Sequence, residues 1–139
     1  MLTDEEIQER LSKLSPSGLE KLEKLVDQEI GEAKWIPSPG PQTDAYRSAA
    51  DILLYGGSSG GGKSSLIIGL ALTAHDRSLI VRRHYNDLGA IIEDTLKVYG
   101  TRDGFTNSIP PTLRTSDGKF IEFGGLAKPG DETNWFGRP

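Results

Sequence analysis

The sequence predicts an α/β fold: a partial parallel sheet flanked by helices, with a helical hairpin at the N-terminus and a β-hairpin late in the chain. Three observations predict it. A short apolar run, Ile52 to Tyr55, enters a glycine-rich loop that leaves into a mostly apolar helix, Leu66 to Ala74. A second apolar run, Ser78 to Arg83, precedes another helical pattern, so strand and helix alternate as parallel pairing requires. Finally, Thr112 to Thr115 and Lys119 to Phe123 flank Ser116-Asp-Gly118, a hairpin turn signal.

The elements follow in order. Thr3 with Glu6 forms a capping box, and Ile7, Leu11 and Leu14 fall on one face of a first short helix. Ser15-Pro16 restarts the chain into a second helix with its stripe at Leu19, Leu22, Leu25, Val26, Ile30 and Ala33. These stripes suit packing on the domain that follows, the commoner use of such a face, or docking of a partner subunit. Trp35 to Gln42 is extended and stiffened by proline, and Thr43 is placed to cap a helix from Asp44 to Ala50. Ile52 to Tyr55 reads as a buried strand. Beyond the next helix, Ser78 to Arg83 reads as a second buried strand and ends in two arginines. Asn86 caps a helix whose Leu88, Ile91, Ile92, Leu96 and Tyr99 share a face and which stops at Gly100, with Glu93 and Asp94 on its wet side. In the late hairpin Glu122 is read as an outward residue, and the chain from Lys128 to Pro139 is loop-like.

Composition narrows the function. The 139 residues suit one domain, and 20 Asp and Glu against 16 Lys and Arg make it acidic. Whole-molecule charge therefore does not attract nucleic acid, and any DNA contact must be local. With no cysteine there is no disulfide framework and no thiolate metal site. His75 and His84 have no third ligand nearby and read as surface residues. No apolar run is long enough to span a bilayer and the N-terminus is acidic rather than signal-like, so a cytoplasmic location is expected.

The chemistry sits between Gly56 and Ser65. Gly57, Gly62, Lys63 and Ser64 match the phosphate-loop pattern G-x-x-x-x-G-K-[ST], with Ser58, Ser59, Gly60 and Gly61 as the intervening residues and Ser65 following. Glycines leave no Cβ between the amides and a phosphate, so the main chain itself forms the anion cradle. Lys63 would reach the β- and γ-phosphates, Ser64 would hold Mg²⁺, and the following helix adds its unpaired amides. A flexible Gly/Ser linker is the competing reading, and the strand-loop-helix context argues against it. Gln42 lies fourteen residues before Gly56. A carboxamide suits the N7 and N6 edge of adenine, although a solvated loop glutamine is the commoner use of such a residue. Trp35 or Tyr46 is placed to lie against a base. Arg82 or Arg83, at the carboxyl end of a strand, faces either a phosphate or DNA, or only an ion pair or solvent.

Five collinear blocks carry a family resemblance: Trp35-x-Pro-x-Pro-Gly-Pro-Gln42, Ala50 through Ser64, Leu79-Ile-Val-Arg-Arg-x-Tyr85-x-x-Leu88, Gly118-x-x-Ile-Glu-Phe-Gly124 and Phe136-Gly-Arg-Pro139. Over residues 35–139 the chain resembles the N-terminal ATPase region of the large terminase subunit of tailed bacteriophages. The resemblance implies an additional-strand P-loop NTPase fold that uses ATP and Mg²⁺ to drive double-stranded DNA into a capsid. It implies a homo-oligomeric ring, the small terminase subunit and the portal protein as partners, and the host bacterial cytoplasm as location, with no membrane.

By the same resemblance Gln42 becomes the adenine contact, Gly57 to Ser65 the phosphate loop, and Lys63 and Ser64 the transition-state and metal ligands. Arg138 becomes a candidate arginine finger acting on a neighbouring subunit. Residues 1–34 form only a helical lead-in. The apolar strand ending in Asp-Glu that hydrolysis needs is not found: Asp131-Glu132 follows Lys-Pro-Gly instead. The expectation is thus an ATPase domain incomplete before its catalytic acid and nuclease, binding ATP without appreciable turnover. The alternative is a non-catalytic nucleotide- or phosphate-binding module, or prophage remnant, acting as an interaction protein. A small-molecule kinase is disfavoured, since no lid or acceptor-site arginine cluster is visible.

Overall fold

The computed structural model describes residues 3–137, and of residues 27–32 the backbone alone. Two compact units divide at Ala33 and Lys34. The first holds α1, Asp4–Ser12, and α2, Pro16–Glu32. The Thr3 capping box forms in full: the Thr3 amide donates to the Glu6 carboxylate at 2.8 Å, and the Glu6 amide donates to the Thr3 hydroxyl at 3.3 Å. Ile7, Leu14, Leu19, Leu22, Leu25 and Val26 remain exposed.

The second unit is a mixed α/β layer. Its helices are α3, Pro41–Arg47, α4, Lys63–Gly69, and α5, Leu88–Tyr99; its strands are β1, Arg77–Arg82, β2, Phe105–Thr106, β3, Thr112–Arg114, and β4, Phe120–Gly125. The sheet runs β1-β4-β3-β2, with β1 and β4 parallel and the other two pairs antiparallel. The predicted hairpin is β3 and β4, closed by the Thr115 amide on the Lys119 carbonyl at 2.9 Å. The two-residue strand β2 was not foreseen, because nothing in Phe105-Thr106 alternates over enough residues to stand out.

Pleating sorts the side chains. Ile80, Ile121, Phe123 and Leu113 are buried on one face, packed with Ile68 of α4, Ala71 and Leu72 just beyond it, and Leu88, Ile91 and Leu96 of α5. The other face carries Leu79 and Val81, both partly exposed, and Phe120, whose ring lies between the guanidinium groups of Arg77 and Arg114 at 5.1 and 4.3 Å. The second apolar run is therefore a strand covered on one side at β1, not a fully buried one. Trp135 packs across Gly124 on this outer face.

Three local expectations are corrected. Ile52 to Tyr55 is not a buried strand: it pairs with none of the described strands, and Ile52 and Leu54 are 90 % and 96 % exposed. The sheet's edge is β1, and without a neighbour the apolar run has neither ladder nor core to join. Thr43 does not cap a helix from Asp44 to Ala50. The helix starts at Pro41, whose fixed φ suits a first turn, and the Thr43 hydroxyl donates to the Ser38 carbonyl at 2.8 Å. Asn86 lies within a 3₁₀ turn, Tyr85–Asp87, and α5 begins without a side-chain cap. The Gly100 stop is as expected, its amide on the Leu96 carbonyl.

Candidate functional site

The glycine loop spans the gap between the exposed segment at Ile52 and the start of α4. Its geometry is set from three directions. From within, the Gly61 amide donates to the Ser58 carbonyl at 3.2 Å, tightening the tip. From ahead, the Lys63 ammonium folds back onto the loop and donates to the carbonyls of Gly57 and Ser58 at 2.9 and 2.6 Å. From beneath, Gln42 supports the loop's last glycine: its amide nitrogen donates to the Gly62 carbonyl at 3.0 Å, while its oxygen accepts from the Ser38 amide at 2.6 Å.

Gly62 is constrained twice over. It sits at φ 74°, ψ 14°, and a Cβ there would lie 2.6 Å from the Gln42 amide nitrogen. Only glycine meets both conditions. The helix that follows is anchored by Trp35, whose indole N–H donates to the Ser65 hydroxyl at 3.0 Å and whose ring covers Gly69 so closely that a methyl group would overlap it. Trp35 also meets Tyr46, ring centroids 5.6 Å apart, and the Tyr46 hydroxyl bonds the Thr73 hydroxyl at 3.0 Å. Thr73 in turn donates to the Gly69 carbonyl, and α4 continues as a π-helical turn, Leu70–Ala74. Both aromatics proposed for stacking on a base are thus engaged on the helix.

Gln42 is 6 % exposed. With two donors and two lone pairs on a carboxamide, one N–H and one lone pair remain uncommitted.

Ser64 stands in the first turn of α4. Its hydroxyl accepts from the Arg82 guanidinium at 3.0 Å, across from the carboxyl end of β1. The Arg82 carbonyl, bonded by the Leu126 amide, fixes the backbone from which the side chain reaches. The sequence left Arg82 open between phosphate, DNA, an ion pair and a solvated end; the structure brings it to the Ser64 hydroxyl. Arg83, His75 and His84 are exposed.

Residues Ser59 to Ser65 line an open depression of about 560 Å³. A cavity of about 410 Å³ lies elsewhere, beyond the end of β4, among Tyr85, Pro110, Gly125, Asp131 and Trp135. One oxygen of its Asp131 carboxylate accepts from the Ala127 and Lys128 amides, both at 2.9 Å. Arg138 lies outside the described residues.

Mg²⁺ commonly takes one or two protein oxygens and completes its shell with water and phosphate oxygens. The Ser64 hydroxyl is an oxygen of the kind such a shell could use, and among the described residues no group of three or more His, Cys, Asp or Glu is placed to hold a metal. Compared with protein-family models, with curated proteins and with solved structures, the chain matches none of them.

Proposed function

We propose that residues 57–65 bind the phosphates of a nucleoside triphosphate, ATP carried with Mg²⁺, and that the chain is the ATP-binding portion of a phage terminase large subunit. The observation that carries the reading is the joint arrangement of the motif residues. Lys63 is turned into the loop, and Ser64 stands beside it at the head of a helix. The Lys63 ammonium donates to two loop carbonyls; a phosphate would offer it a charged acceptor instead, an exchange favoured by charge-assisted hydrogen bonding. The remaining donor and lone pair of Gln42 are assigned to the adenine edge, and Arg138 to a neighbouring subunit of a DNA-packaging ring. Double-stranded DNA, the small terminase subunit and the portal are the partners this reading entails, in a host cytoplasm.

A second reading, a non-catalytic phosphate-binding module, is favoured by one observation: the segment entering the loop is unpaired and exposed rather than locked in a sheet. Either reading expects binding without sustained hydrolysis. The test is calorimetric titration of ATP, GTP and their Mg²⁺ complexes into the chain and into Lys63→Ala and Gln42→Ala. Expected are ATP binding lost in Lys63→Ala and a preference for ATP over GTP erased in Gln42→Ala. Equal binding of both nucleotides by the parent removes the adenine assignment, and steady Lys63-dependent turnover by the chain alone removes the expectation, shared by both readings, of binding without hydrolysis.

A further inference from the structure

Resting on the phosphate-loop reading, we propose that Arg82 is a ligand of the same site in its metal-free form, holding the Ser64 hydroxyl until Mg²⁺ takes it. The guanidinium nitrogen lies 3.0 Å from the Ser64 oxygen, the atom a nucleotide-borne Mg²⁺ would coordinate. Arg82 is half-buried, and its side chain starts from a strand end pinned by the Leu126 amide. The contact is thus reached from a fixed backbone.

The chemistry follows from counting donors and charges. A guanidinium has five N–H donors in a fork that matches phosphate, and one of its nitrogens is engaged with Ser64. With Lys63 it gives the loop a second cation, so a polyphosphate free of metal finds two positive partners. Mg²⁺ on the Ser64 oxygen would stand within a few ångströms of the guanidinium, and like charges at that range disfavour sharing one hydroxyl. Metal and arginine are therefore exclusive at Ser64. Arg82 matters most to an anion that arrives bare, and is displaced when the anion arrives with its metal.

The experiment measures affinity for ATP and for inorganic tripolyphosphate by calorimetry, in excess EDTA and in excess Mg²⁺. The proteins are the parent chain, Arg82→Gln, Arg82→Lys and Arg77→Gln. The last removes the same charge from the opposite end of β1, and circular dichroism checks that each variant is folded. Expected for Arg82→Gln is a loss of about tenfold in EDTA, in line with one charge-assisted contact, and a much smaller loss in Mg²⁺. Arg82→Lys should recover part of the EDTA loss and Arg77→Gln should match the parent. An Arg82→Gln affinity unchanged in EDTA, or lowered equally in both conditions, overturns the proposal while leaving the phosphate loop intact. A parent that binds neither ligand in either condition overturns the phosphate-loop reading itself.

Discussion

Replacing Gln42 tests how the loop is held. The side chain is buried and makes two hydrogen bonds, one to the Gly62 carbonyl and one from the Ser38 amide. A typical intramolecular hydrogen bond is worth about 0.5–1.5 kcal/mol net, so Gln42→Ala should cost about 1–3 kcal/mol, the lower part applying if water reaches Ser38. At a urea slope of about 2 kcal/mol per molar, a loss near the middle of that range moves the midpoint by roughly 1 M. Gln42→Glu separates buttressing from mere filling of space. It keeps the shape and the acceptor for Ser38, but sets a second acceptor against the Gly62 carbonyl, so it should be at least as destabilising as the alanine. Urea unfolding followed by tryptophan fluorescence is the assay. A midpoint unchanged in both variants refutes the reasoning, as does a glutamate variant as stable as the parent.

Further outcomes follow from the same structure. Gly69→Ala drives a methyl group into the Trp35 ring and should destabilise by about 1–3 kcal/mol in the same assay, the usual cost of overpacking. Leu54→Lys, at a side chain 96 % exposed, should change stability by no more than about 0.5 kcal/mol, whereas a buried strand there would lose far more. Asp117 gives a pH signature. The neighbouring Thr115 hydroxyl holds its carboxyl below the ordinary value against an opposing push from burial, and the Lys34 ammonium, 3.2 Å away, adds to the lowering. Its folded value being depressed, its contribution is present above the unfolded value of about 3.9 and is lost as pH falls through the lower folded one. Asp117→Asn should therefore narrow the stability difference from the parent progressively below about pH 4 and leave it constant above.

The helices were legible because their signals are local. Thr3 and Glu6 cap each other within one turn, and Leu88, Ile91, Ile92 and Leu96 recur at helical spacing and are buried together. The hairpin was legible from its turn. Ile52 to Tyr55 misled because an apolar run declares only that it prefers burial; whether a neighbouring strand exists to pair with it is decided elsewhere in the chain. The motif singled out Lys63 and Ser64 because its spacing is local to one loop. What the sequence withheld were contacts across long separations: Trp35 on Ser65 and Gly69, Gln42 on Gly62, Arg82 on Ser64. None has a periodic signature. The position of Arg82 at the carboxyl end of a strand was the single available hint.

The most direct measurement of the central claim is the ¹H–¹⁵N spectrum of the chain titrated with inorganic tripolyphosphate. The account predicts that the amides of residues 57–65 shift together and saturably, and that the shifts vanish in Lys63→Ala. Amides there that stay unmoved at saturating ligand, or that move equally without Lys63, would contradict it.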